Sequence, residues 1–171
     1  MDTIVYGFAE TRFGPIIVAR TPQGICDLQF LGYDRMRVIH ELGVRWGKYT
    51  PTTQDDEMAA KVAGIVFEGK KGDLPLYVKG TDFQLKVWNG LLKIPFGTTT
   101  TYQAVAESIG EPKAIRSVAT AILENPVAVI IPCHRVIHKD GTLGEYHWGQ
   151  DLKKQLISWE KTIVEKAEKG N

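Results

Sequence analysis

The amino-acid sequence predicts an α/β unit over residues 1–79 followed by a mostly α-helical unit over residues 80–171. Near the amino terminus, short runs rich in β-branched residues alternate with turn residues, which is typical of a small antiparallel sheet. Beyond residue 80, apolar residues recur every three or four positions, which is typical of amphipathic helices. A tight turn between two short helical segments favours a helix-turn-helix in this second unit.

The first unit is predicted to combine short strands with two helices. The expected elements are strands over residues 3–8, 15–20, 24–30, 45–49 and 74–78, with helices over residues 33–42 and from residues 54–57 onward. Alternation in the third strand places Cys26 on its apolar side, so we expect this thiol in the core. With only one cysteine in this unit, the spacing rules give no metal site.

The second unit is predicted to contain four helices. The first is capped by Thr81 or Asp82 and ends at residues 94–97, two more span residues 102–109 and 112–123, and the last runs from residue 151 to about residue 166, with a frayed tail over residues 165–171. Gly110 suits the end of the second helix and Pro112 the first turn of the third, because glycine and proline favour those positions.

Composition and charge are those of an ordinary globular protein. Hydrophobic residues make up 43% and charged residues 24% of the chain, and no apolar run is long enough to span a bilayer. The net charge of +1 counts against a binder that relies on a broad basic field. Two widely separated cysteines and the absence of a visible export signal predict a cytoplasmic protein.

The most informative stretch is Pro132-Cys133-His134-Arg135-Val136, which follows an apolar run. Cysteine is a strong nucleophile as a thiolate, and histidine commonly removes its proton. Adjacent residues do not face each other on a helix or a strand, so we expect a turn or a bridging water between Cys133 and His134. A buried structural cysteine explains the pair alone equally well.

The surrounding motifs favour the reactive interpretation. They are Thr101–Ala106, Pro112–Val118, Asn125-Pro126, Gly141–Tyr146, Lys153 and Trp159-Glu160. With Pro-Cys-His-Arg-Val at their centre, their order and spacing closely resemble the O6-alkylguanine-DNA alkyltransferases, the methylated-DNA–protein-cysteine methyltransferases. The resemblance covers about residues 80–160, and the first unit is similar only loosely. It implies a ribonuclease-H-like first unit, a winged-helix-like second unit, no cofactor, and a location in the nucleoid or, in a eukaryote, the nucleus.

The resemblance also implies a reaction. A monomer would bind double-stranded DNA and transfer the O6-alkyl group of guanine, possibly also the O4-alkyl group of thymine, irreversibly to Cys133. Glu160 and His134 match a relay that removes the thiol proton through water. Tyr102 matches a tyrosine that donates a proton at guanine N3 and turns the adjacent phosphate.

Seven further residues match family positions for DNA binding or site structure. They are Arg116, Asn125, Arg135, Tyr146, His147, Trp148 and Lys153. Arg116 would fill the stack left by a flipped nucleotide, and Asn125 would tie the turn to the helix-turn-helix. Tyr146 and the backbone N–H of His147 would close over the base.

The other three residues have less direct roles. Arg135 would hold the site together by hydrogen bonds, and Lys153 lies on the last helix near the loop. The Trp148 indole would crowd large adducts, so we expect a preference for methyl and small alkyl groups. Ala119 and Thr120 stand where the family usually has glycine, which bears on how closely this helix approaches DNA.

Three other functions remain open at this point. A non-catalytic relative would bind alkylated DNA, but such relatives replace the cysteine that is present here. A helix-turn-helix regulator could use the cysteine as a sensor. A cysteine hydrolase with a Cys-His-Glu triad would turn over repeatedly on an amide or ester.

Overall fold

A computed structural model of the chain describes residues 3–32, 35–47 and 51–170. The chain forms two compact units: the first contains residues 1–79 together with residues 126–128, and the second contains residues 80–125 and 129–171. No helix among the described residues is long and apolar enough to cross a membrane.

A four-stranded sheet forms the centre of the first unit. Its strands are β1 (Ile4–Thr11), β2 (Gly14–Thr21), β3 (Gly24–Phe30) and β4 (Pro51–Gln54), in the order β3-β2-β1-β4. The first three strands pair antiparallel, whereas β4 runs parallel to β1. The three strands predicted near the amino terminus are therefore confirmed, and β1 extends to Thr11 because it forms a hairpin with β2.

Two helices accompany this sheet, α1 (Arg35–Arg45) and α2 (Asp56–Glu68). The prediction of a strand over residues 45–49 is wrong where it can be compared, and residues 48–50 lie outside the described residues. Arg45 ends α1, and the Trp46 N–H still donates to the Leu42 carbonyl at 3.0 Å. The side chains of Leu42 and Trp46 are both buried, which explains why helical hydrogen bonding continues to Trp46.

The predicted strand over residues 74–78 is reduced to one bridge between Ile25 and Leu76. The Ile25 N–H donates to the Pro75 carbonyl at 2.7 Å, but Pro75 has no N–H to continue a ladder. The predicted helix start near residues 54–57 is confirmed, because the Asp55 side chain caps α2 by accepting from the Met58 N–H at 3.0 Å.

Cys26 lies in the core of the first unit, as predicted, packed with Ile4, Ala19, Leu42 and Trp46. Burial raises the pKa of its thiol from 9.0 to about 12, which keeps it protonated and unreactive at neutral pH.

A short segment from the second half of the chain completes the first unit. The Leu28 N–H donates to the Pro126 carbonyl at 3.0 Å, and the Ala128 N–H donates to the Leu28 carbonyl at 2.8 Å. The chain leaves this segment through Val129, whose φ of 68° is unusual for a β-branched residue. Backbone pairing with β3 therefore fixes the segment that separates Asn125 from Val129.

The second unit contains four helices and a small two-stranded sheet. In chain order these are α3 (Asp82–Leu91), β5 (Thr100–Thr101), α4 (Tyr102–Ser108), α5 (Ile115–Leu123), β6 (Val136–Ile137) and α6 (Gln150–Lys169). Thr81 caps α3, and its side chain and that of Gln84 form a reciprocal capping box. The prediction that α6 frays from Glu165 is wrong, because the helix continues to Lys169.

The turn between α4 and α5 agrees in part with the sequence prediction. Gly110 has a φ of 76° after the end of α4, and the Glu111 N–H donates to the Ala106 carbonyl at 2.8 Å, which is a Schellman closure. Pro112 does not open α5, which begins at Ile115. The Ala114 N–H donates to the Glu111 carbonyl at 3.0 Å, so this tight turn takes up the residues predicted as the first helical turn.

Candidate active site

Cys133 and His134 lie on a single 3-10 turn, Cys133–Arg135, in the second unit. The Arg135 N–H donates to the Pro132 carbonyl at 3.0 Å, and the turn leads directly into β6. The turn expected from the adjacency of Cys133 and His134 is confirmed. Because β6 pairs with β5, this short sheet also brings in Tyr102, which immediately follows β5.

Glu160 is the most heavily hydrogen-bonded group of the site. Its carboxylate accepts from His134 Nε2 at 2.7 Å, Arg135 Nε at 2.7 Å, Arg135 Nη2 at 2.8 Å and the Gly97 N–H at 3.2 Å. Burial alone would raise the pKa of Glu160, but the hydrogen bonds from His134 and Arg135 outweigh it and lower the pKa from 4.5 to about 2. The group is therefore a carboxylate at neutral pH.

This carboxylate determines the protonation state of His134. A carboxylate only accepts hydrogen bonds, so His134 Nε2 must carry the proton. Burial lowers the pKa of His134 below 6.5 despite the bond to Glu160, and the ring is neutral at pH 7. Its Nδ1 is then a lone-pair acceptor, buried and without a hydrogen-bond partner among the described residues. His134 is thus arranged as a base whose free nitrogen is Nδ1.

Cys133 is only 2% exposed, and its sulfur lies among polar groups. Asn125 Nδ2 donates to the sulfur at 3.1 Å and to the Ile131 carbonyl at 2.8 Å. Burial raises the pKa of the thiol from 9.0 to about 11, although Asn125, Lys153 and Tyr146 all favour the thiolate. The Tyr146 hydroxyl interacts with the sulfur electrostatically but makes no hydrogen bond of good geometry with any described residue. At rest, Cys133 is therefore a thiol.

Lys153 is buried, being 1% exposed, which is rare for lysine. Its Nζ donates to the carbonyls of Leu143 and Glu145 and lies 3.5 Å from the Tyr102 hydroxyl. Burial lowers its pKa from 10.5 to about 8, whereas the nearby cysteine favours the charged form. Lys153 thereby links α6, the loop after β6 and Tyr102.

Tyr102 lies at a cavity of about 270 Å³, and burial raises its pKa above 10.0, with smaller contributions in the same direction from Cys133, once ionised, and Glu145. The other residues that line this cavity are Ala119, Thr120, Ile122, Leu123, His138 and Glu145. The His138 ring packs against the Tyr102 ring with centroids 4.9 Å apart. The cavity is therefore lined by α5, by the segment that follows β6 and by Tyr102.

The structure gathers eight of the sequence-predicted residues into one connected cluster. These are Cys133, His134, Glu160, Arg135, Asn125, Tyr146, Lys153 and Tyr102. Arg116 lies apart from it, exposed on α5. His147 and Trp148 lie on the loop beside Tyr146, and the Trp148 ring packs against both neighbouring rings, with centroids 5.2 Å from Tyr146 and 4.7 Å from His147.

Two glycines of the site were not identified from sequence. The Gly97 N–H binds Glu160, and with its φ of 81° a Cβ at this position would lie 2.4 Å from Val164 Cγ2. Gly144 has a φ of 76°, and a Cβ there would lie 2.6 Å from the Tyr102 hydroxyl. The only sequence signal for these two positions was the glycine itself, after Pro95-Phe96 in one case and before Glu145-Tyr146 in the other. Among the described residues, no cluster of histidine, cysteine and acidic side chains could hold a metal ion.

The site combines a buried cysteine and a His-Glu pair with two short helices that are joined by a tight turn. This combination defines a class of protein in which a thiol lies next to a helix-turn-helix. Two family models match this chain. "6-O-methylguanine DNA methyltransferase, DNA binding domain" matches residues 82–162, and "6-O-methylguanine DNA methyltransferase, ribonuclease-like domain" matches residues 4–62. The chain belongs to the methylated-DNA–protein-cysteine methyltransferase family.

Curated relatives and solved structures agree with this assignment. The chain is 41% identical to the methylated-DNA–protein-cysteine methyltransferase of Methanosarcina barkeri, over 91% of this chain and 96% of that protein. It is 40% identical to the bifunctional transcriptional activator/DNA repair enzyme Ada of Escherichia coli, but the match covers 89% of this chain and only 44% of Ada. The chain thus spans less than half the length of Ada.

Among solved structures, the Mycobacterium tuberculosis O6-methylguanine methyltransferase superimposes with a TM-score of 0.76 and 33% identity, covering 94% of both chains. The M. tuberculosis OGT solved in complex with DNA superimposes with a TM-score of 0.74 and 32% identity, covering 92% of this chain and 93% of that chain. At 32% and 33% identity, these two proteins are similar to this chain in sequence as well as in fold.

Proposed function

We propose that this protein repairs DNA by transferring the O6-alkyl group of guanine, chiefly methyl, to Cys133 in a single irreversible turnover. The observation that carries the proposal is the buried Cys133 thiol on the same turn as a neutral His134 whose Nε2 is fixed by Glu160. The activity named for the M. barkeri relative supports the same reaction here.

The reaction begins with removal of the thiol proton. His134 Nδ1 takes this proton through a bridging water, and Glu160 stabilises the imidazolium that results. The sulfur then attacks the alkyl carbon as the bond from that carbon to O6 breaks. The products are a thioether on Cys133 and a guanine anion. A thioether has no easy route of hydrolysis, so each protein molecule acts once.

Tyr102 supplies the proton that the leaving guanine needs. Because its pKa is raised above 10.0, the phenol is protonated at pH 7 and can donate at guanine N3. Lys153 lies 3.5 Å from the hydroxyl and orients it. The 270 Å³ cavity lined by α5 and the segment after β6 would hold the base.

The partner is double-stranded DNA that carries O6-alkylguanine, and possibly O4-alkylthymine. The target atom lies inside the duplex, so the nucleotide must be flipped out at a cost of a few kcal/mol. Arg116, exposed on α5, would fill the vacated stack. We assign residues 1–79 a ribonuclease-H-like arrangement and residues 80–171 a winged-helix-like one, and we expect a cytoplasmic monomer.

Intact-protein mass spectrometry after mixing with duplex DNA bearing O6-methylguanine tests this function. We expect one added methyl group, mapped to Cys133 and absent in Cys133→Ala. Tight lesion binding without a mass shift would favour a non-catalytic binder. If the protein shows no lesion binding and no mass shift, DNA repair is excluded, and the hydrolase or the regulator is favoured.

The size of adduct that the protein accepts can be tested at Trp148, which packs against Tyr146. Removing the indole in Trp148→Gly should speed reaction with O6-benzylguanine at least about tenfold, because overpacking of a closed site costs 1–3 kcal/mol. The rate of Cys133 benzylation, followed by mass, measures this. Trp159→Phe is the matched control, since Trp159 packs against Phe96 instead. Equal rates for Trp148→Gly and wild type would refute the crowding idea.

A further inference from the structure

The loop over residues 144–149 carries Tyr146, one of the groups that act on the Cys133 sulfur. Within the loop, the Gly149 N–H donates to the Tyr146 carbonyl at 3.0 Å. Gln150, the first residue of α6, donates from Nε2 to the Gly144 carbonyl at 2.9 Å and so attaches the start of the loop to that helix. Lys153 attaches the start of the loop to α6 through the Glu145 carbonyl.

A separate hydrogen bond attaches the same loop to α5. His147 Nδ1 lies 3.2 Å from the carbonyl oxygen of Leu123, the last residue of that helix. A carbonyl only accepts, so His147 must carry its proton on Nδ1. The last carbonyls of a helix lack intrahelical donors, which leaves this oxygen available. The exposed imidazole also packs on the Trp148 ring at 4.7 Å.

The position of this bond relates it to the chemistry. Leu123 and Glu145 line the 270 Å³ cavity at Tyr102, and both also line a second cavity of about 450 Å³ that includes His147. The bond therefore lies where the two cavities adjoin. Two residues beyond Leu123, Asn125 donates to the Cys133 sulfur. The end of α5 is thus bonded both to the nucleophile and to the loop that carries Tyr146.

We propose that the side chain of His147 is a positioning residue that holds the 144–149 loop, and with it Tyr146, against the C-terminal end of α5. This inference rests on the proposed function, because it assigns α5 to DNA and the adjoining cavity to the base. DNA bound along α5 would then stabilise the loop conformation in which Tyr146 lies beside the sulfur. The role belongs to the Nδ1–H donor, and not to charge or to bulk.

The test compares His147→Ala with His147→Asn, because the Asn amide places a donor near the position of Nδ1. At saturating duplex DNA bearing O6-methylguanine, we expect His147→Ala to transfer methyl roughly 3- to 10-fold more slowly. Losing one hydrogen bond shifts the equilibrium between loop conformations by about this factor. His147→Asn should stay within about twofold of wild type by the same measure. Reaction with the free base O6-methylguanine should also be slower in His147→Ala, because the bond to Leu123 holds the loop even without DNA. His40→Ala, an exposed histidine on α1, is the matched control.

Three results would overturn the proposal: an Asn variant as slow as the Ala variant, a loss confined to DNA affinity, or no loss on the free base. Nitrogen-15 shifts of the His147 ring give a readout that needs no reaction. In the neutral ring they should show the proton on Nδ1, and a neutral ring with its proton on Nε2 would also overturn the proposal. If wild type transfers no methyl from duplex DNA, the proposed function fails, while the ring shifts still decide the position of the His147 proton.

Discussion

Replacing Glu160 with glutamine should slow methyl transfer at least about 100-fold, the lower end of what one general acid–base group contributes. The amide would be neutral, so it could not stabilise an imidazolium on His134 or keep both nitrogens of Arg135 paired. Single-turnover rates on duplex DNA with O6-methylguanine measure the loss. A wild-type rate in Glu160→Gln would exclude Glu160 from the proton relay.

The same change should destabilise the folded protein by about 3 kcal/mol, because it leaves a buried arginine without its anion. The pH dependence has a definite sign. The pKa of Glu160 is depressed from 4.5 to about 2, so its stabilising contribution is present above pH 4.5 and lost as the pH falls towards 2. Urea unfolding should show this acid-dependent loss in wild type and not in the variant. Glu165→Gln, exposed on the same helix, should behave as wild type.

Reaction of Cys133 with iodoacetamide in the absence of DNA should rise nearly 100-fold between pH 7 and pH 9, since a thiol with a pKa of about 11 gains tenfold in thiolate per pH unit. The rise should fall slightly short, because Lys153 loses its charge near pH 8 and then favours the thiolate less. Mass spectrometry of the modified protein provides the rate at each pH.

Cys133→Ser is the control for this experiment. Its remaining thiol, Cys26, has a pKa of about 12 and should react still more slowly. A Cys133 reaction that is already at its maximum at pH 7 would show a resting thiolate, which the burial of this sulfur opposes. The expected profile means that Cys133 is activated when substrate is bound, and not beforehand.

Features governed by local sequence were the ones predicted well. Thr81 and Gly110 mark the ends of helices through caps that depend on a few neighbouring residues, and both are found at the expected positions. The Pro112 prediction failed because a tight turn at Glu111 competes with the first helical turn. The strand predicted to begin at residue 45 was wrong because burial of Trp46 in the core extends helix α1 to Arg45.

The candidate site was predictable in its residue types but not in its connections. The adjacency of Cys133 and His134 predicted a turn, and resemblance supplied their partners. No local pattern shows that a backbone N–H at Gly97 completes the shell of Glu160, or that a lysine in an amphipathic helix is buried. Pairing of Pro126 with Leu28 likewise joins residues far apart in the chain. Such links depend on tertiary packing, which single-sequence periodicity does not encode.

The raised pKa values of both thiols also bear on oxidation. Peroxides convert thiolates to sulfenic acids far faster than they oxidise thiols, and the products of further oxidation are irreversible. With pKa values of about 12 for Cys26 and about 11 for Cys133, the chain presents almost no thiolate to such oxidants at neutral pH. Under the proposed function, in which the cysteine reacts once, burial of the sulfur preserves each molecule through oxidative stress until it meets a lesion.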